Sequence, residues 1–150
     1  MHAISMTPVA FVSNDVRDKR RRAWRGMVSE ITLTDEFSAD ALTGIEHYSH
    51  LEIIFHLHLS DDINMGTSYP YGNSSLPLTG IFAMRKMTRP NHIATTVVRL
   101  VRKKGKTLIV RDLDAFDGTP VLDIKPINRR FYPKEPIRQP QWSLKPNFKP

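Results

Sequence analysis

The sequence contains no cysteine among its 150 residues. This absence excludes a disulfide framework, a thiolate nucleophile and a zinc site with cysteine ligands. Long apolar runs are missing too, since no stretch approaches the roughly 18 to 20 apolar residues of a membrane-spanning helix. The N-terminal segment lacks the basic region and long apolar core of a signal peptide. We therefore expect a cytoplasmic protein with no membrane partner.

Acidic residues are the scarcer charged class, with 15 Asp and Glu against 22 Lys and Arg. The formal net charge of +7 favours an anionic partner such as nucleic acid without identifying it. Amphipathic helices are also scarce: only residues 38–42 predict about one turn, with Ser38 as its cap and Gly44 as its end. The chain length suits one domain around a single core.

Short apolar runs rich in β-branched and aromatic residues predict strands. The predicted strands cover residues 8–12, 27–33, 51–58, 79–84, 93–102 and 107–111. A hairpin is predicted between the last two, where Gly105 can supply the positive φ of the turn. Many short strands with few helices predict an all-β fold with minor α, a single-domain barrel of mainly antiparallel strands, because closure removes exposed edges.

Two segments depart from the strand pattern. Residues 60–78 are rich in Ser, Asp, Asn, Gly and Pro and predict a long loop that acts as a lid or contacts a partner. Residues 128–150 form a basic, proline-rich arm that excludes regular helix and most strand pairing. We expect a barrel domain at 1–127 and an arm that is not an independent domain. The arm either wraps a partner subunit through Phe131, Tyr132 and Trp142 or is partly disordered.

Two motifs between the strands indicate a ligand site. The first is Arg85 followed by Arg89-Pro90-Asn91, and the second is Leu113-Asp114 leading into residues 117–126. Together with residues 44–51, they resemble the TrmO family, also called YaeB-like or TsaA-like proteins. That family consists of β-barrel methyltransferases that use S-adenosylmethionine and methylate the exocyclic amine of threonylcarbamoyladenosine beside the tRNA anticodon. The resemblance implies this cofactor, a tRNA partner and a homodimer.

The resemblance also implies which residues bind the cofactor. Arg85 falls on the cofactor-contacting arginine of the family, and the backbone of Leu113 and Asp114 falls on the segment that meets the adenosyl group. The remaining matching positions are Trp24, Gly26, His58, Leu59, Thr96 and Val97. One departure is Ala94, which stands where the family has glycine and adds a methyl group where backbone approaches the cofactor.

Several residues are candidates for binding the substrate. Arg89 has a planar fork that suits carboxylate or phosphate, or it ties down a neighbouring loop through carbonyl contacts. Tyr69 and Tyr71 either stack on RNA bases or cover the barrel mouth. Lys125 follows Asp114, Asp117 and Asp123, a group that could position an amine or form a salt-bridge network. Two basic clusters, at residues 17–25 and 99–106, provide phosphate contacts or solvated charge.

The chemistry needs the acceptor nitrogen aligned with the sulfonium methyl, so proximity and orientation can supply most of the catalysis. If a general base is used, Asp117 is the first candidate and His58 the second. A different hypothesis is a metal site at His56 and His58 with a further ligand from His47 or His50, although this spacing is also typical of packed histidines. Methylation of a different amine is a third hypothesis, and a non-catalytic module that binds S-adenosylmethionine or RNA is a fourth.

Overall fold

A computed structural model describes residues 2–17 and 24–144. The strands in these ranges are β1 (Ala10–Ser13), β2 (Val28–Leu33), β3 (His50–His56), β4 (Thr67–Ser68), β5 (Thr79–Gly80), β6 (Ile93–Lys104), β7 (Thr107–Arg111) and β8 (Pro120–Pro126). Six of them close an antiparallel barrel in the order β1-β2-β7-β6-β3-β8, while β4 and β5 form a separate ribbon. The prediction of an all-β barrel is confirmed.

The helical turns within the described ranges are all short 3₁₀ segments: Ala39–Leu42, Ile45–His47, Pro70–Gly72, Ile81–Ala83, Arg129–Phe131 and Gln141–Leu144. The first confirms the predicted turn, and the Ser38 hydroxyl caps it by accepting from the Asp40 amide. Across the part of the chain that the structure describes, no helix has the length and apolar character needed to cross a membrane.

Strict alternation of side chains builds the barrel core. In β2 and β3 every second residue is buried, as expected where one face of a strand packs inside and the other meets solvent. The largest side chains with no more than 2% exposure include Phe55, Ile31, Leu51, Ile53 and Leu108. They pack together inside the closed sheet and form the hydrophobic core of the fold.

Two predicted strands need correction, and one strand of the barrel was not predicted. The strand predicted at 79–84 was wrong beyond Gly80, because the chain leaves the ribbon there and forms the turn Ile81–Ala83. The strand predicted to reach His58 ends at His56. A strand was missed altogether: β8 begins at Pro120, a position where proline is tolerated because it starts the strand. The predicted hairpin between β6 and β7 is confirmed, with Gly105 at φ +59°.

The long loop and the C-terminal arm are more structured than their composition indicated. Residues 60–78 contribute β4 and one 3₁₀ turn, and β4 pairs with β5. The arm reaches back to this loop, where the rings of Tyr71 and Trp142 meet edge to face with centroids 6.0 Å apart. Residues 145–150 of the arm and residues 18–23 of the first basic cluster lie outside the described ranges.

Candidate functional site

A cleft of about 230 Å³ opens beside the start of β6. Its wall is formed by the segment between β5 and β6, by the first residues of β6 and by the segment after β7. The lining residues are Trp24, Phe55, Leu57, Met84, Arg85, Lys86, Met87, Arg89, Ile93, Ala94, Thr95, Thr96 and Asp114. The closed sheet thus brings the cationic segment at 85–89 and the acidic segment at 114 to one cavity.

Arg89 organises the cationic wall of the cleft. Its half-buried guanidinium donates through Nη1 to the carbonyl oxygens of Ile81 at 3.0 Å and Met84 at 2.7 Å. These bonds hold the turn that precedes Arg85, so Arg89 ties down a neighbouring loop, which is one of the two roles that its sequence position suggested. Arg85 itself is exposed, and its Nη2 donates to the Thr95 carbonyl oxygen at 3.0 Å.

The acidic wall is fixed from inside the barrel. Leu113 is fully buried and anchors the segment after β7, while the Asp114 carboxylate stays exposed and accepts a hydrogen bond from the Thr96 hydroxyl. Thr96 and Asp114 were both predicted as cofactor contacts, and both line the cleft. Their bond joins β6 to the segment that follows β7.

Asp112, which no sequence pattern singled out, braces two segments that carry cleft residues. It adopts φ +71°, and its carboxylate accepts the backbone N–H of Gly26. Its own N–H donates to the Met27 carbonyl oxygen at 2.9 Å. Asp112 therefore ties the turn that carries Trp24 to the Leu113-Asp114 segment. The signal in the sequence was chemical, since Asp is one of the few residues that tolerates a left-handed backbone at a strand end.

Of the other predicted cofactor residues, only Trp24 lines the cleft. Trp24 lines it and packs edge-on against Phe116 with centroids 5.4 Å apart, whereas Gly26 sits in the adjoining turn at φ +78°. His58, Leu59, Val97 and Leu113 are outside the lining set. Val97 points outward on β6 and is 49% exposed.

Neither candidate base lines the cleft. Asp117 accepts the Asn14 backbone N–H at 3.0 Å and lies 3.7 Å from the Arg17 guanidinium. His58 is half-buried, with its Nδ1 3.3 Å from the Thr119 hydroxyl oxygen. Burial, with a smaller contribution from the charge on His56, lowers the pKa of His58. His58 is therefore neutral at physiological pH, the form in which an imidazole can accept a proton.

The lowered pKa of His58 predicts a pH dependence of stability. The folded protein binds this proton less tightly than the unfolded chain, so the free energy of unfolding falls as the pH drops through about 6.5 towards the folded pKa. Above that range His58 makes no pH-dependent contribution. Urea unfolding at pH 7.5 and 5.5 should show a smaller difference for His58→Gln than for the wild type. An equal difference in both proteins would contradict the assignment.

The predicted substrate residues are dispersed. Lys125 is exposed on β8 and pairs with Asp123, with Nζ 2.6 Å from Oδ2, and this pairing raises the Lys125 pKa. Asp114 and Asp117 have separate partners, so the four-residue group that the sequence suggested is divided between different surroundings. Tyr69 and Tyr71 belong to the loop before β5 and are outside the cleft lining.

The histidine pair does not keep the strand geometry that suggested a metal site. The strand ends at His56, and the His58 N–H donates to the His56 carbonyl oxygen at 2.8 Å, which turns the chain. His56 instead faces His92, with ring centroids 5.9 Å apart. Among residues 2–17 and 24–144, no group of three or more histidine and carboxylate side chains could hold a metal ion.

The sequence of this chain is similar to those of several known proteins. A family model described as the tRNA-methyltransferase O N-terminal domain matches residues 18–131. The chain is 42% identical over 102 residues to a probable S-adenosyl-L-methionine-binding protein, VirR, of Rhizobium radiobacter, covering 67% of this chain and 56% of that protein. It is 36% identical over 86 residues to the tRNA (adenine(37)-N6)-methyltransferase of Mus musculus, covering 57% of this chain and 20% of the mouse protein.

The fold itself has a solved counterpart. A crystal structure of TrmO from P. aeruginosa superposes with a TM-score of 0.78 at 27% identity, over 98% of this chain and 65% of that chain. The chain thus spans little more than half of the Rhizobium protein and less than two thirds of the crystallised one.

Proposed function

The chain belongs to the TrmO family, and on that premise we propose that it is an S-adenosylmethionine-dependent methyltransferase that acts on tRNA. One observation carries the proposal: Arg85 and Asp114, which the sequence separates by a strand hairpin, line the same cleft. A zwitterionic ligand with a cationic centre needs groups of both signs in one cavity, and neither segment alone supplies them.

The chemistry of the cleft fits this cofactor. Arg85 and Lys86 offer cations to its carboxylate, and Asp114 offers an acceptor to its ammonium or ribose hydroxyl groups. The apolar part of the lining suits the adenine ring; it comprises Trp24, Phe55, Leu57, Met84, Met87, Ile93 and Ala94. The volume of about 230 Å³ is below the range of about 300 to 1,000 Å³ for ligand sites. The cleft therefore has room to enclose only part of the cofactor.

When bound, the cofactor supplies an electrophilic methyl group on a sulfonium. The task of the chain is to hold the acceptor nitrogen in line with that methyl group, since orientation alone can supply about 7 to 11 kcal/mol of the barrier. Arg89 contributes by fixing the wall that presents Arg85. Asp117 and His58 remain candidate proton acceptors; both lie outside the lining, which favours a reaction without a dedicated base in the cleft.

For the acceptor we propose the N6 amine of adenosine 37 in tRNA, because the matching mouse protein carries that activity in its name. The finer proposal, from the family resemblance, is that the adenosine carries a threonylcarbamoyl group. The formal charge of +7 suits a polyanionic partner. We also propose that the protein acts in the cytoplasm and that it forms a homodimer. Sedimentation of the purified chain would test the homodimer.

The proposed function is tested by transfer of a labelled methyl group. Purified protein and labelled S-adenosylmethionine are incubated in parallel with bulk tRNA, with tRNA lacking the threonylcarbamoyl group, and with free nucleosides. Label in the first sample alone supports the full proposal. Label in both tRNA samples would support a tRNA methyltransferase but contradict the proposal that the acceptor must carry the threonylcarbamoyl group. Cofactor binding without label in any RNA would replace the enzyme by a binding module, and Ala94 in the cleft would then explain the lost activity.

A further inference from the structure

Two arginines face each other on the outer wall of the barrel. Arg99 of β6 and Arg111 of β7 are direct cross-strand partners. Both are exposed, and their strand neighbours Val98 and Val110 are fully buried, so the two arginine side chains point away from the core. On β3, His50 pairs with Arg99 in the same register. The basic row of His50, Arg99 and Arg111 therefore crosses three neighbouring strands.

Within the described residues, no carboxylate forms an ion pair with either arginine of the row. Glu52 is diagonal to Arg99 across the strands, but it accepts from the Thr95 hydroxyl at 2.9 Å. Glu30 is diagonal to Arg111 and pairs with Ile109. Like charges directly opposite each other in a sheet are destabilising. An anion that contacts both guanidinium groups would relieve this repulsion.

The end of the β6–β7 hairpin differs from the basic row. Lys103 lies 3.4 Å from a Glu46 carboxylate oxygen, and Lys106 lies 3.5 Å from one of Asp35. Part of the charge that the sequence concentrates at 99–106 is therefore already paired within the fold. The arginines in the middle of the wall have no such ion pair among the described residues. One of them, Arg111, is not part of the basic cluster at residues 99–106.

The basic row is near the cleft. Arg111 is three residues from Asp114, and Arg99 is three residues from Thr96, so each Cα lies within about 10 Å of a cleft residue along the chain. A polymer with one unit in the cleft can therefore reach this wall with its neighbouring units. Guanidinium forks match phosphate oxygens in pairs, which gives the row more than a diffuse attraction.

We propose that the basic row binds backbone phosphates of the nucleic acid whose base enters the cleft. This inference rests on the proposed function, because tRNA is the phosphate-bearing polymer that the function requires. The row positions the polymer and carries no sequence information, as is general for phosphate contacts.

The test compares two variants with the same loss of charge. Arg99→Gln/Arg111→Gln, the row variant, removes both arginines of the row, and Lys134→Gln/Arg138→Gln, the arm variant, removes two exposed charges from the arm. Binding of labelled tRNA is measured by fluorescence anisotropy between about 50 and 200 mM salt. The row variant should bind about tenfold more weakly, and its log–log salt slope should be shallower by about 1.4 to 1.8, because each phosphate contact contributes about 0.7 to 0.9. The arm variant should change affinity less than about threefold.

Loss of folding is separated by urea unfolding, in which the row variant should be at least as stable as the wild type because the repulsion is gone. If tRNA affinity fell equally in both variants, the loss would be due to net charge alone, which would overturn the inference. Unchanged tRNA binding in a row variant of a protein that methylates tRNA would overturn the row and leave the proposed function standing. If tRNA binding depends on the row but the wild type transfers no methyl group, the inference about the row stands and the proposed function fails. Row-dependent binding to phosphatidylserine vesicles, with no binding of tRNA, would also overturn the inference that the row binds nucleic acid.

Discussion

Arg85→Ala should weaken the binding of S-adenosylmethionine by at least about tenfold, which equals about 1.4 kcal/mol. Arg85 is exposed and lines the cleft, and it makes one hydrogen bond to the Thr95 carbonyl oxygen, so the remaining donors of its fork can reach a ligand carboxylate. Arg85→Lys should lose less, because an ammonium keeps the charge without the paired donors. Isothermal titration of the three proteins measures the effect.

Arg138→Ala is the matched control for this titration, since it removes an exposed arginine of the arm that does not line the cleft. Its dissociation constant should equal that of the wild type. Far-ultraviolet circular dichroism confirms that each variant is folded. An unchanged constant for folded Arg85→Ala would reject the assigned role, and an equal loss in Arg138→Ala would attribute the effect to net charge.

Ile31→Ala should lower the free energy of unfolding by about 2 to 5 kcal/mol. Ile31 has no exposed surface and belongs to the barrel core, on a strand that contributes nothing to the cleft lining. Its truncation leaves a cavity among side chains held by six closed strands, and a closed sheet has little freedom to collapse around it. Ile31→Val should lose only about 0.5 to 1.5 kcal/mol. Urea unfolding followed by circular dichroism measures both.

Val28→Ala is the control on the same strand, because Val28 points outward and is 50% exposed. Its effect should stay within about 1 kcal/mol, since little area leaves the core. If Ile31→Ala and Val28→Ala had equal effects, β2 would not have the register described. At temperatures where Ile31→Ala remains folded, its affinity for S-adenosylmethionine should match the wild type, which separates the core from the site.

The barrel was predictable because most of its strands are short apolar runs, and in β2 and β3 buried residues alternate with more exposed ones. The runs that became β2, β3, β6 and β7 are rich in the β-branched residues that favour strands. The strand β8 was missed because of the prolines at its two ends, which local propensity counts against pairing. The turn at Ile81–Ala83 was mistaken for strand because its apolar residues do not reveal that a guanidinium eight residues further on binds its carbonyl oxygen.

The site was predictable only in part, for a similar reason. Family resemblance assigned Arg85, Thr96 and Asp114, and barrel closure brings all three to one cleft. The role of Asp112 depends on a positive φ and on a bond to Gly26, which is 86 positions earlier in the sequence. The pairing of Lys125 with Asp123 depends on how β8 presents them. Such contacts are properties of the tertiary fold, which local sequence patterns do not encode.

We propose that the cleft lined by Arg85 and Asp114 holds S-adenosylmethionine. A crystal structure of the chain grown with that cofactor tests it most directly. We predict electron density for the cofactor inside this cleft, with its carboxylate near Arg85 and a polar group near Asp114. Density for the cofactor on another surface, with the cleft left empty at saturating concentration, would contradict the account.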